Sequence, residues 1–259
     1  MRRVAFETLG AAVTGYLRES GISTAHRRRP AVLIAPGGAY EYRSAREADP
    51  IALEFSAMGW QSFLLDYAGG DEAADYRPLR QAAAAMQQLR ENADMWDIEP
   101  TQIAMLGFSA GGHLTASLGI YWNDPALKLP PACRPDALVL CYPVITLYGE
   151  SCHERSAAHV SGGDEAVRDK LSLEKHVGPQ MPPTFLWHAM GDVSVPPENS
   201  LLLMDAMRRA GVDFEAHLFA GGAHGISTCS VEVNTPEPHC APWLGLCKAW
   251  LNRRFSFTP

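Results

Sequence analysis

A serine flanked by small residues is the part of this sequence best suited to covalent chemistry. Residues 107–111 read Gly-Phe-Ser-Ala-Gly, directly after the apolar run that ends at Leu106 and just before a helical stretch opening at Gly112. Strand, sharp turn and helix is the context in which such a motif thrusts a serine hydroxyl out above a sheet edge. Small residues at 107, 110 and 111 relieve the crowding that the turn creates. The hydroxyl of Ser109 is a weak nucleophile until a base takes its proton. Of the nine histidines, His224 has the placement such a base needs. It lies in Ala220-Gly221-Gly222-Ala223-His224-Gly225, just after the last strand candidate, and groups that meet a ligand gather at the carboxyl ends of strands in open parallel sheets. His188 lies inside a strand candidate and reads as a core or supporting residue. His113, one turn beyond the serine, reads as a packing or hydrogen-bonding residue. His26, His153, His159, His176, His217 and His239 have no comparable placement.

A third group must orient the imidazole and stabilise its charged form. Asp192 follows the penultimate strand candidate in His188-Ala189-Met190-Gly191-Asp192-Val193-Ser194-Val195-Pro196. Glu198 is the reserve acid, but it falls where the next helix begins, so a role at the helix N-terminus suits it better. Acyl transfer also needs backbone donors for an oxyanion. The N–H of Ala110, next after the serine, is one. The others should come from Pro36-Gly37-Gly38-Ala39-Tyr40, the loop after an early strand, where glycine lets the main chain approach a substrate closely.

The elements that must position these groups alternate along the chain. Apolar runs stand at 31–35, 62–65, 103–106, 137–142, 184–188 and 214–219, most of them continuous, as in strands buried on both faces of a parallel sheet. Helical spacing appears over 79–92, 199–210 and 242–255, with Gly211 as a stop signal. This alternation predicts an α/β fold with helices on both faces of a mostly parallel sheet. Residues 143–183 carry no clear strand and are expected to form an insertion or small lid, with 1–259 as a single domain because Ser109, Asp192 and His224 must converge over one sheet.

Composition narrows the rest. The chain has 259 residues and a formal charge of −7, which argues against a nucleic-acid partner. The one basic run, Arg27-Arg28-Arg29, reads as a solvated turn before Pro30. No stretch approaches the ~18 apolar residues of a membrane span. Arg2-Arg3 precede a stretch too dilute for a signal peptide. The six cysteines include no Cys-x-x-Cys, and Cys229, His239, Cys240 and Cys247 lack zinc-ligand spacing. No metal or cofactor is expected, and a reduced, cytoplasmic setting is the working expectation.

The sequence resembles the α/β-hydrolase superfamily, and within it the bacterial acetylxylan- and feruloyl-esterase-like group, also called xylanase-B-like carbohydrate esterases. The resemblance covers essentially the whole chain. It rests on Ala35-Pro36-Gly37-Gly38-Ala39-Tyr40, Arg46-Glu47-Ala48-Asp49-Pro50-Ile51-Ala52, Gly107 to Leu114, Asp192 to Ser200, Gly222-Ala223-His224-Gly225, Trp243 and Trp250-Leu251. The chain order Ser…Asp…His is the one such hydrolases use. The resemblance implies Ser109 as nucleophile, Asp192 as acid and His224 as base, with Gly38, Ala39 and Ala110 as the oxyanion hole. It implies a serine esterase acting on short acyl, best acetyl, esters of a carbohydrate, without a cofactor. Tyr40, Tyr42 and Trp243 are candidate aromatic platforms for a sugar ring. Two departures stand out: Ala39 replaces the group's third glycine, and Met190-Gly191 replaces a more polar pair. Because a neutral imidazole must act as base, activity is expected to fall on the acid side of roughly pH 6–7. A serine exopeptidase on the same three residues, and a binding protein that has lost catalysis, are the alternatives. The first lacks a propeller or large gating domain here, and the second usually lacks the base or the nucleophile.

Overall fold

Continuous apolar runs become the central strands of one eight-stranded sheet in the computed structural model, which describes residues 1–19 and 28–259. The strands are β1 (Arg2–Thr8), β2 (Ala11–Leu17), β3 (Arg29–Ala35), β4 (Gln61–Asp66), β5 (Ile98–Phe108), β6 (Ala137–Cys141), β7 (Thr184–Ala189) and β8 (Phe214–Phe219). Their order across the sheet is β1-β2-β4-β3-β5-β6-β7-β8. From β4 to β8 every pairing is parallel, and β1 and β2 add antiparallel at one edge.

Period-2 geometry explains why these runs are apolar throughout. In β3, Ala31, Leu33 and Ala35 join the core on one face, while Val32 and Ile34 join the core on the other. Helices cover both. The first face receives α2 (Arg77–Glu91), α3 (Ala110–Tyr121) and α6 (Glu198–Ala210), through Leu79, Met86 and Leu89, Leu114 and Leu118, and Leu203 and Met207. The second receives α1 (Asp49–Ala57) and α7 (Pro242–Arg254), through Ile51, Phe55, Trp243, Trp250 and Leu251. Each fully buried Leu, Ile or Phe contributes on the order of 1.5–3 kcal/mol. Gly211, with φ 71°, closes α6 in the left-handed conformation that ends many helices.

Residues 143–183, between β6 and β7, hold α4 (Glu154–Ser161), α5 (Glu165–Lys170) and no strand. Val144, Ile145, Leu147, Ala157, Val160, Leu171 and Leu173 sink into the core on the α2–α3 face. The segment is therefore anchored by its own apolar side chains.

Two sequence expectations change. The hairpin β1–β2 was not expected. Its strands alternate, with Val4 and Phe6 packed against the core and Val13 inside it. The turn between them is Leu9-Gly10, both at positive φ (49° and 75°), and leucine there hides a hairpin that Asn-Gly or Asp-Gly would announce. Arg29 departs from the solvated turn expected of the basic run, whereas Arg28 is exposed in a bend. Arg29 begins β3, is 4% exposed, and donates from Nη1 to the Gly59 carbonyl at 2.9 Å. Arg28 pairs with Asp94, and Arg27 lies outside the described residues.

Candidate active site

The end of β5 turns abruptly into α3 at Ser109, whose φ of 52° and ψ of −118° belong to a strained conformation. The flanking glycines make the turn possible by permitting close packing. A Cβ on Gly107 would lie 2.0 Å from the Gly111 carbonyl oxygen, and one on Gly111 would lie 2.0 Å from that of Ala35. Strand β3 and helix α3 therefore meet at backbone contact. The Ser109 N–H donates to Cys141 O at 3.0 Å, and its carbonyl accepts from His113 and Val144 N–H groups at 3.0 and 3.2 Å. The conformation is held from three sides.

Above this turn the three residues singled out by sequence stand in contact. His224 Nε2 is 2.8 Å from Ser109 Oγ, and His224 Nδ1 is 2.6 Å from Asp192 Oδ2. An ionised carboxylate only accepts, so Nδ1 carries the proton and Nε2 accepts from the serine hydroxyl. That is the tautomer a general base requires. Asp192 is 3% exposed. Its Oδ1 accepts from the N–H groups of Ser194 and Val195 at 3.0 and 2.9 Å, and its Oδ2 faces His188 Nε2 at 3.3 Å. Burial alone would raise the Asp192 carboxyl. Hydrogen bonds from His188, His224 and Val195 outweigh it and hold the group well below the usual carboxylate range. His188 is itself oriented, with Nδ1 accepting from the Ser200 hydroxyl at 2.6 Å and Nε2 donating to Val195 O at 3.0 Å. The loops carrying acid and base are stapled by the Gly191 N–H donating to Gly221 O at 2.9 Å. A Cβ on Gly191 would lie 2.6 Å from Gly222 O, which gives the glycine of the Met190-Gly191 departure a packing reason. Glu198 is exposed at the first position of α6, away from this chain of hydrogen bonds.

The loop after β3 closes over the serine. A Cβ on Gly37 would lie 3.0 Å from Ser109 Cβ, and Gly38 holds φ at 124°. Ala39 follows at φ 58°, left-handed in spite of its methyl group. The Ala110 N–H, at the start of α3, is one of the four that a helix leaves without an internal acceptor. Gly38, Ala39, Ser109 and His224 line one open cavity of about 690 Å³. Its other walls mix polar side chains, among them Tyr42, Ser44, Arg46, His153, Arg155 and Asn234, with the apolar Ala45, Pro50 and Val233.

Two expected platforms are not there. Tyr40 is 1% exposed and Trp243 is 0% exposed. The Tyr40 hydroxyl donates to His113 Nδ1 at 2.8 Å, while His113 Nε2 donates to Leu171 O at 2.9 Å. Trp243 stacks on Trp187 and donates from its indole to Ser227 O at 2.9 Å. Both aromatics brace the loops of the site from beneath; Tyr42, 59% exposed, is the aromatic that reaches the cavity. Sequence reasoning also passed over Glu47 and His153. Glu47 is 2% exposed, lines the cavity, and accepts from the Gly37 N–H and the Tyr142 hydroxyl, each at 2.8 Å. Burial raises its carboxyl, against hydrogen bonds from Tyr142 and Gly37. Glu47 falls within the Arg46–Ala52 stretch of the family resemblance, but neither residue shows a role in the sequence, because only the meeting of distant loops gives it one. The cysteines near the C-terminus lie in apolar core, where burial pushes the Cys229 thiol up to about 12 and that of Cys240 up to about 11.

Known proteins share this arrangement of elements. The BD-FAE family matches residues 22–207. Endo-1,4-beta-xylanase B of Butyrivibrio fibrisolvens is 32% identical over 214 residues, 79% of this chain and 34% of the relative. An acetylxylan esterase of Xylanibacter ruminicola is 28% identical over 204 residues, 75% of this chain and 40% of the relative. The chain thus spans 34% and 40% of the length of these two curated relatives. Among solved structures, an acetyl ester-xyloside bifunctional hydrolase from Caldicellulosiruptor lactoaceticus superposes with a TM-score of 0.84 at 34% identity, covering 96% of this chain and 89% of that one. The fold is that of the α/β hydrolases, and the chain belongs to the BD-FAE family.

Proposed function

We propose that this protein is a carboxylic ester hydrolase that removes short acyl groups, acetyl above all, from a carbohydrate-like alcohol. Ser109 Oγ attacks the ester carbonyl as His224 Nε2 takes its proton, and the Gly38, Ala39 and Ala110 N–H groups receive the oxyanion. The carbonyl–alkoxy bond then breaks, the proton passes to the departing alcohol, and an acyl-enzyme remains. Water repeats the sequence and frees Ser109. Asp192 holds the imidazole in the productive tautomer throughout. The steps use only side chains, backbone N–H groups and water. Residues 1–259 act as one unit in this reading, with 143–183 forming the wall of the cavity at His153 and Arg155.

The observation that carries the proposal is the unbroken hydrogen-bond chain from Asp192 through His224 to Ser109, opening onto a cavity whose walls include several polar side chains. Hydroxyl-rich alcohols suit such walls. His153 supplies a defined donor there: its Nδ1 accepts from Ser156, by the N–H at 3.3 Å and the hydroxyl at 2.9 Å, so Nε2 carries the proton. The names of the relatives point to the same ester class. The test compares wild type and Ser109→Ala on p-nitrophenyl acetate and on acetylated xylo-oligosaccharides. Loss of the nucleophile should lower kcat by at least about 10³-fold. Equal rates would end the esterase reading, and activity on the nitrophenyl ester without activity on the oligosaccharides would end the carbohydrate part of it.

A further inference from the structure

A buried carboxylate without a cationic partner is costly unless something else uses both of its oxygens. Glu47 makes no ion pair with Lys or Arg among the described residues, yet each oxygen is engaged. Oε2 accepts from the Gly37 N–H, one residue before the Gly38-Ala39 pair, and Oε1 accepts from the Tyr142 hydroxyl, each at 2.8 Å. The Tyr142 hydroxyl in turn accepts from the Ser227 N–H at 2.9 Å, three residues after His224, and the Tyr142 ring lies edge-on to the His224 ring at 5.1 Å. Further bonds tie the same short turn, Ala45–Glu47, to both loops. The Ser44 N–H donates to Gly37 O at 3.0 Å, the Ser227 hydroxyl donates to Arg46 O, and Arg46 Nη1 donates to Gly225 O at 3.3 Å.

We propose that Glu47 is a positioning residue shared by the two loops of the reaction, holding the oxyanion loop through Gly37 and the histidine loop through Tyr142 and Ser227. The inference rests on the esterase reading given above. A carboxylate suits the task because it presents two acceptor oxygens to two separate donors, whereas an amide has only one. Its charge also faces His224, whose imidazolium forms in each half of the reaction. Oxyanion donors and general base are thereby built by one side chain and lost together.

The experiment is a double-mutant cycle of Glu47→Gln and Tyr142→Phe, with Ser109→Ala as control, on p-nitrophenyl acetate. Phosphorylation of Ser109 by diethyl p-nitrophenyl phosphate, with p-nitrophenolate leaving, reads the same base and oxyanion donors in a single step without deacylation. Glu47→Gln should lower kcat by about 10- to 100-fold with KM nearly unchanged, since small misplacements of reacting groups cost that much. The phosphorylation rate should fall with it. Tyr142→Phe should lose less, and the double variant should match Glu47→Gln within about threefold, because members of one chain are not additive. A folded Glu47→Gln with wild-type kcat, or losses that multiply in the double variant, would overturn the proposal. If Glu47→Gln does not fold, Tyr142→Phe decides: a reduced kcat at unchanged KM supports the shared link, and a wild-type kcat removes it. Full activity in Ser109→Ala would bring down the esterase reading and this inference together. An inactive Ser109→Ala beside a fully active Glu47→Gln removes this inference alone.

Discussion

Ala39 and Tyr40 are consecutive non-glycine residues at positive φ, 58° and 59°, in the loop that closes over Ser109. A Cβ in that region costs roughly 1–2 kcal/mol. Tyr40 is held there by burial and by its hydroxyl's bond to His113, whereas Ala39 has only its place in the loop. Ala39→Gly should therefore raise stability by about 0.5–1 kcal/mol, the relief of strain exceeding the entropic cost of glycine. Urea unfolding measures this, and a clear loss of stability would show that the methyl contributes packing. Tyr40→Phe separates a brace from a sugar platform. It leaves His113 Nδ1 buried without a donor and should cost about 1–3 kcal/mol. KM for an acetylated oligosaccharide should stay unchanged, and a rise in KM alone with stability intact would restore Tyr40 to the substrate.

Helix α3 shows how an element imposes requirements that spacing only hints at. Its first turn lies so close to β3 that Gly111→Ala drives a Cβ into the Ala35 carbonyl, a backbone neighbour that cannot step aside. The variant should lose more than about 2 kcal/mol and with it the turn that presents Ser109. Gly245, inside α7, is the contrasting case, since a Cβ there meets nothing within 4 Å. Gly245→Ala should stabilise by about 0.5–1 kcal/mol through helix propensity. Melting both variants checks the pair, and similar shifts would contradict it. The glycines around Ser109 were legible as a motif, but which backbone each one approaches became legible only once β3 and α3 were docked.

At the scale of the whole molecule, buried titratable groups link stability to pH. Burial lowers His113 from 6.5 to about 4, against the bond to Leu171 O. Between those values the unfolded chain binds more protons than the folded one, so stability rises with pH. The contribution is fully present above about pH 6.5 and disappears as pH falls towards 4, a change of about 3 kcal/mol. Asp192, held low, loses its share only under more acid conditions, below its ordinary 3.8. Glu47, raised by burial, works in the opposite sense. Comparing wild type with His113→Gln isolates the histidine: the stability difference should shrink by roughly that amount between pH 7 and 4.5. A difference that does not move with pH would assign the acid sensitivity to other groups.

Local chemistry is written along the chain, and so the sequence by itself determined the α/β class, most central strands, three helices and the three residues that meet at Ser109. Strand ends bring such residues together by rule, whatever lies between them. The β1–β2 hairpin escaped because Leu9 occupies a turn position that usually advertises itself with asparagine or glycine. Only the tertiary structure decided which aromatics line the cavity and which lie beneath the loops, since a side chain's direction depends on the neighbours packed against it. Glu47 belongs to the same class. Its neighbours Gly37, Tyr142 and, through Tyr142, Ser227 come from three separate loops, so the stretch around Glu47 could be matched to a family while the role of its side chain could not be read from any one segment.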